Sequence, residues 1–255
     1  MNNPIFFGRM DAAELVFYIF CLFFLGLVIW LQRESKREGF PLEDDQGRKL
    51  AHQGITQVPP RKTFKMPFGE DDVITPLRQS EPVDVPNARR TAHFTGSPIE
   101  PIGEGVGAGI GPGAFAMRRD VPDHTHEGHL RIVPIGDTDM TIEKRDADPR
   151  GMTVLGADGA VAGTVTDLWV DRSEMMLRYL DVSVDGKSVL LPMTMAVVHK
   201  KAKQISCSAI NASHFAGAPS IAKAGTITRL EEEMIVAYFG GGYLYANAAR
   251  SEPLL

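Results

Sequence analysis

Residues 152–209 read MTVLGADGAVAGTVTDLWVDRSEMMLRYLDVSVDGKSVLLPMTMAVVHKKAKQISCSA. Short runs rich in Val, Leu and Met (152–155, 161–170, 176–184, 189–192, 196–199 and 205–209) alternate with turn signals at Ala157-Asp158-Gly159, Asp171-Arg172-Ser173-Glu174 and Asp185-Gly186. Short strands separated by such turns, at a spacing of roughly 8–12 residues, indicate an antiparallel sheet or small barrel. Val161, Gly163 and Val165 alternate with Ala162 and Thr164, as expected of a strand with one buried face. Closing so small a sheet into a barrel would remove its edges. Downstream, LEEEMIVAYF at 230–239 carries Leu230, Met234, Ile235 and Ala237 on one helical face. Glu231, Glu232 and Glu233 lie near its start, where the helix dipole favours acids. Gly240-Gly241-Gly242 is expected to end it.

Upstream, residues 15–31 (LVFYIFCLFFLGLVIWL) run without a charge. As a helix they span about 25 Å, and Ala12 and Ala13 extend them toward the hydrocarbon thickness of a bilayer, ~30 Å. A cleaved signal peptide would have a basic front and a small-residue cleavage site. Here Asp11 and Glu14 stand in front and QRESKRE follows. The segment is expected to be a retained anchor. Arg33, Lys36 and Arg37 follow it while Arg9 precedes it, which puts the short N-terminus outside and the rest in the cytoplasm. Those three basic residues are candidates for gripping anionic lipid headgroups. Two distant cysteines, Cys21 and Cys207, build neither a disulfide framework nor a zinc module.

Between anchor and sheet, residues 39–122 hold ten of the 17 prolines in 59–122 and keep no helix or strand period for long. Such a stretch is either a linker or a chain lying extended along a partner, and its apolar content favours the second. Within it, residues 64–68 and 72–75 are candidate short strands. The expected division is 1–11 as N-terminus, 12–32 as membrane helix, 33–122 as extended segment, 123–225 as barrel, and 226–255 as helix and tail. GIGPGA at 109–114 imitates a dinucleotide fingerprint, but no strand precedes it and Pro112 interrupts it. A net charge of −5 argues against a nucleic-acid partner.

Two clusters could carry chemistry. The first is Asp120, Asp123, His124, His126, Glu127 and His129. It reads as a solvated loop, or as a surface group that exchanges protons near neutrality and binds divalent metal adventitiously, with zinc at His126 and His129 as the candidate pair. A structural zinc site would need a fuller ligand set, and the loop has no cysteine. The second cluster is Asp167, Asp171, Arg172, Glu174 and Arg178, at a turn between strands. No Ser/His/Asp order, zincin pair or Walker loop appears, so an anchored enzyme is disfavoured.

The chain resembles the H-subunit family of purple-bacterial photosynthetic reaction centres. The matching pieces, in order, are the anchor with QRESKREGFPLE (32–43), PRKTF (60–64), DPRGM (148–152), AGTVTDLWVDRSE (162–174), RYL (178–180), LLPM (190–193), LEEE (230–233) and YFGGGYLYA (238–246). The resemblance implies a mainly β cytoplasmic domain, a PRC-barrel followed by a helix, on one transmembrane helix of a bacterial photosynthetic inner membrane. It implies a non-enzymatic subunit that binds no cofactor alone and caps the cytoplasmic face of L and M subunits. Those partners hold bacteriochlorophyll, bacteriopheophytin, quinones, non-haem iron and carotenoid. The core light-harvesting antenna, a periplasmic c-type cytochrome subunit and membrane lipids are further implied partners.

The implied chemical role is proton conduction to the secondary quinone. Glu174 occupies the family's position near the quinone, with Asp171 and Arg178 beside it. Burial among carboxylates would raise its pKa, and Arg178 would temper the rise. The family's proton-uptake motif survives as Arg118-Arg119-Asp120-Val121-Pro122. His129 keeps one of its two histidines; Glu127 stands at the other and Thr125 at the aspartate, with His124 and His126 nearby. Asp120, His126, Glu127 and His129 are therefore the uptake candidates. The competing reading is a membrane-anchored PRC-barrel adaptor with another partner, which a basic surface and a missing linker would favour; neither holds here.

Overall fold

The computed structural model describes residues 5–7, 10–44, 48–76, 87–94 and 96–250, so Arg9 and residues 77–86 of the Pro-rich segment lie outside the described residues. The chain separates into two units, Met1–Val83 and Asp84–Leu255.

In the first unit β1 (Ile5–Phe7) pairs antiparallel with β2 (Met10–Asp11) and leads into α1 (Ala12–Glu34). Asp11 caps the helix by accepting from Glu14 N at 2.8 Å. At 1.5 Å per residue α1 is about 35 Å long. None of its residues is buried, and it is long and apolar enough to cross a membrane.

A 3-10 turn, Ser35–Arg37, follows, and here the structure corrects the headgroup assignment. Lys36 is only 5% exposed. Its ammonium donates to Gln53 O at 2.6 Å and to Thr56 O. Arg37 bonds Glu34 at 2.7 Å and donates to Pro60 O at 2.8 Å and Thr75 O at 3.3 Å. Both side chains fasten the following segment, because its backbone carbonyls need donors. Only Arg33 remains exposed. Arg37 thereby holds the hairpin of β3 (Lys62–Phe64) and β4 (Val73–Thr75). The first of these strands begins before residues 64–68, where a strand was expected.

The second unit opens with a hairpin, β5 (Ala88–Arg90) and β6 (Ile99–Pro101). Then come β7 (Ile132–Pro134), β8 (Thr153–Leu155), β9 (Val161–Asp171), β10 (Met176–Val184), β11 (Lys187–Pro192), β12 (Ala196–His199) and β13 (Gln204–Cys207). These seven form one sheet in the order β11-β10-β9-β8-β13-β12, with β7 also on β9. Asp185 and Gly186 take positive φ, 49° and 83°, as a tight β10–β11 hairpin turn requires. β7 and β8 share one edge of β9: β8 pairs with Val161–Gly163–Thr164, and β7 with Trp169, Val170 and Asp171. All pairs are antiparallel except β13–β8, which is parallel and departs from the all-antiparallel expectation.

The ends of this path, β11 and β12, are consecutive in sequence. Four Cα steps, at most about 15 Å, join Pro192 to Ala196. A flat path of six strands would be about 24 Å wide. The sheet therefore curls round, as a small barrel does. Val154, Leu168, Leu180, Val182, Val189, Leu191 and Ile205 fill it with no exposed surface.

α2 (Arg229–Tyr245) starts at a capping box in which Thr228 and Glu231 satisfy each other's backbone N–H. Gly240-Gly241-Gly242 does not end it. The helix runs through the glycines because other backbone packs on them. A Cβ would lie 2.9 Å from Pro112 O at Gly240, 3.2 Å from Gly113 Cα at Gly241, and 2.7 Å from Ala209 O at Gly242. Phe239 packs edge-on to Phe215 at 5.7 Å between centroids and closes the core.

Candidate functional site

The bulged β9–β10 hairpin delivers Asp171, Glu174 and Arg178 to one place. Asp171, the last residue of β9, is fully buried. Its Oδ1 accepts from Ser173 N at 2.9 Å and Glu174 N at 3.0 Å, so the carboxylate shapes the turn that carries Glu174. The pairing of β7 with β9 brings in Arg131, the residue before β7. Arg131 Nε reaches Asp171 Oδ1 at 3.2 Å and Oδ2 at 3.0 Å. Its Nη1 donates to Asp123 Oδ2 at 3.2 Å and its Nη2 to Glu174 Oε1 at 2.6 Å. Arg229, at the start of α2, donates to Asp123 Oδ1 at 3.1 Å. Arg178 stands 4.0 Å from Asp171 and 3.8 Å from Glu174.

Three carboxylates and three guanidinium groups thus interlock. Burial pushes the Asp171 carboxyl up, but the Arg131 guanidinium and the N–H groups of Glu174 and Ser173 outweigh it and hold it below its ordinary value. At Asp123 burial is likewise outweighed, by Arg131, Arg229 and the His124 N–H. The same bonds, led by Asp171, raise the pKa of Arg131 and keep it charged.

Beside this network lies a cleft of about 500 Å³ lined by Asp123, Arg178, Tyr179, Arg229, Glu232 and Glu233. Glu232 behaves oppositely to the aspartates. Burial, only partly countered by Arg178, raises its pKa. The Tyr179 hydroxyl donates to it at 3.5 Å.

Of the expected residues, Asp171, Glu174 and Arg178 come together. In this chain by itself the Glu174 side chain is 48% exposed, and Arg131 rather than Arg178 is its close partner. The acid raised by burial is Glu232. Asp120 accepts from the Thr228 hydroxyl at 2.7 Å, at the mouth of α2. His126, Glu127 and His129 lie exposed on a tight turn closed by Thr125 N donating to His129 O at 2.7 Å. The Glu127 carboxyl is held below its ordinary value by its own backbone N–H and the Thr125 hydroxyl. Among the described residues no group of three or more His, Cys, Asp or Glu could hold a metal, so the zinc pair His126 and His129 gains no further ligand.

Sequence reasoning missed Arg131, Asp123, Arg229 and Glu232 as members of the network. Arg131 had one faint signal, a position immediately before the apolar run 132–135.

Two family models match the chain. The photosynthetic reaction centre H-chain N-terminal region matches residues 4–137. The PRC-barrel domain matches residues 142–212. The network draws on both matches, with Asp123 and Arg131 in the first and Asp171, Glu174 and Arg178 in the second, while Arg229 and Glu232 lie beyond either.

Proposed function

The chain belongs to the H-chain family of the photosynthetic reaction centre, and from that premise we propose that it caps and steadies the cytoplasmic face of the complex and conducts protons to the secondary quinone. It is a non-enzymatic accessory subunit that associates with the L and M subunits. When bound in those partners, the quinone supplies the redox chemistry and consumes two protons for two electrons.

The observation that carries the proton role is the interlocked set running from half-exposed Glu174 through Arg131 to buried Asp171 and on to Asp123, next to the Glu232 cleft. Its members do different work. Asp171 and Asp123, held below the ordinary carboxylate range, stay ionised and orient Arg131, so they position rather than carry. Arg131 keeps its proton and fixes Glu174. Glu174 and Glu232 exchange protons, Glu174 because it reaches solvent and Glu232 because burial favours its protonated form. His126, Glu127, His129 and Asp120 collect protons at the surface. Arg178, near both Asp171 and Glu174, tunes the field between them. In this reading the N-terminus is periplasmic, Arg33 meets lipid headgroups, and the core antenna and a c-type cytochrome complete the assembly.

The test is Glu174→Gln in the assembled complex. The second flash-induced electron transfer to the secondary quinone, which is coupled to proton uptake, is expected to slow, and to slow more as pH rises from about 6 to about 9. An unchanged rate across that range removes Glu174 from the path.

A further inference from the structure

The start of α2 is stitched to the stretch of chain that carries the uptake candidates. Thr228, which caps the helix, is half-buried and has extended backbone, φ −92° and ψ 160°. Its hydroxyl is engaged on both sides. The oxygen accepts from Glu231 N at 3.2 Å, and the proton is donated to Asp120 Oδ1 at 2.7 Å. An O–H to carboxylate bond of that length is charge-assisted and belongs to the stronger class of hydrogen bonds. The backbone supports the same contact: Pro122 forms a β-bridge with Thr228, and Arg229 N donates to Val121 O at 3.0 Å.

Two neighbouring residues at the helix start thus hold two acids of different kinds. Thr228 holds Asp120, which is exposed. Arg229 holds Asp123 at 3.1 Å, and Asp123 belongs to the Arg131 network. Glu232, in the first turn of the same helix, lines the cleft. Asp123 is gripped by two guanidinium groups, whereas Asp120 depends on one hydroxyl. An exposed aspartate left to itself samples three staggered χ1 wells. Its carboxyl passes a proton only from a well that brings it within hydrogen-bond reach of the next group, directly or through one water. The bond from Thr228 selects one well.

We infer that Thr228 is a positioning residue for proton uptake. Its hydroxyl fixes the Asp120 carboxyl against the start of α2, and the adjacent Arg229 keeps that surface acid in register with Asp123 and the Glu232 cleft. This rests on the proposed reading of Asp120 as an uptake group. Thr228 carries no proton onward itself; it acts through Asp120. It lies beyond both family matches, which end at residues 137 and 212.

The experiment follows dye-detected proton uptake after the second flash in the assembled complex, above neutral pH, where protons are scarce. Thr228→Gly removes the hydroxyl, and glycine serves nearly as well as threonine at a helix start. Thr228→Ser keeps the hydroxyl. Asp120→Asn, alone and combined with Thr228→Gly, completes a double-mutant cycle. Uptake is expected to slow about threefold in Thr228→Gly, as one χ1 well of three is no longer selected. Thr228→Ser should keep the native rate, and Thr228→Gly should add no slowing in the Asp120→Asn background. Native uptake in Thr228→Gly beside slow uptake in Asp120→Asn would overturn the inference. So would Thr228→Ser as slow as Thr228→Gly, or a Thr228→Gly effect of full size in the Asp120→Asn background, which would mean that the hydroxyl acts by another route. Native uptake in Asp120→Asn would instead remove Asp120 from the path, and the inference would fall with that reading.

Discussion

The two units of this chain solve opposite problems. In Asp84–Leu255 the apolar side chains face one another, and Phe215, Phe239, Leu168 and Leu180 have no exposed surface. In Met1–Val83 the apolar side chains face out: Phe23, Leu25 and Ile29 on α1 are more than half exposed, and the interior contacts are polar, from Lys36, Arg37 and Gln53 to backbone carbonyls. Burial in Asp84–Leu255 is internal. In Met1–Val83 it must come from lipid or partner subunits, because so much exposed apolar surface is not stable in water. A polar interior under an apolar exterior is the expected inversion for a segment whose surroundings are not water.

The largest expected difference between the units is therefore in core truncation. Phe239→Ala should cost about 3–5 kcal/mol, read as an earlier unfolding midpoint from Trp169 fluorescence of the full chain in detergent. Phe23→Ala should leave that midpoint unchanged. Equal losses from both would show that the units are not held in different ways.

Helix glycines sharpen the contrast. Gly242→Ala should cost about 1–3 kcal/mol, because its Cβ would press on Ala209 and Ile210, and this outweighs alanine's higher helix propensity. Gly26→Ala meets nothing within 4 Å and should cost nothing in the same assay.

The charged network should give the β domain a pH signature of its own. Asp171 and Asp123 have depressed folded pKa values, so their stabilisation is present above the ordinary carboxylate pKa and is lost as pH falls through their folded values. Asp171→Asn should lower stability at neutral pH by about 1–3 kcal/mol and flatten the acid limb of the curve. Glu232 has the opposite sign. Its raised folded pKa favours the protonated form, so its contribution is full below the ordinary glutamate pKa and is lost as pH rises through the folded value. Glu232→Gln should therefore be slightly more stable than the native chain at neutral pH and equal to it in acid. Matched unfolding midpoints at both pH values would deny Glu232 its burial.

Much of this was legible from local pattern. Alternation in 161–170 and the Asp185-Gly186 turn announced β9, β10 and β11, and an uncharged run announced α1. What misled was glycine: Gly240-Gly241-Gly242 has the composition of a helix stop, and only the distant Pro112, Gly113 and Ala209 reveal it as a packing surface. The network was half legible for the same reason. Asp171, Glu174 and Arg178 share one hairpin, whereas Arg131 lies 40 residues from Asp171 and 43 from Glu174. Its role depends on β7 pairing with β9, a register no local pattern encodes. Lys36 shows the limit from the other side. Basic residues after an apolar run usually reach for headgroups, but here the carbonyls of Gln53 and Thr56 outcompete solvent for its ammonium.

Flash-induced proton uptake, followed with a pH-indicating dye in the assembled complex carrying Asp171→Asn together with Glu174→Gln, reads the proposed role without an intermediary. Uptake after the second flash is expected to slow several-fold while the first electron transfer keeps its native rate. Uptake at the native rate in that double variant would contradict it.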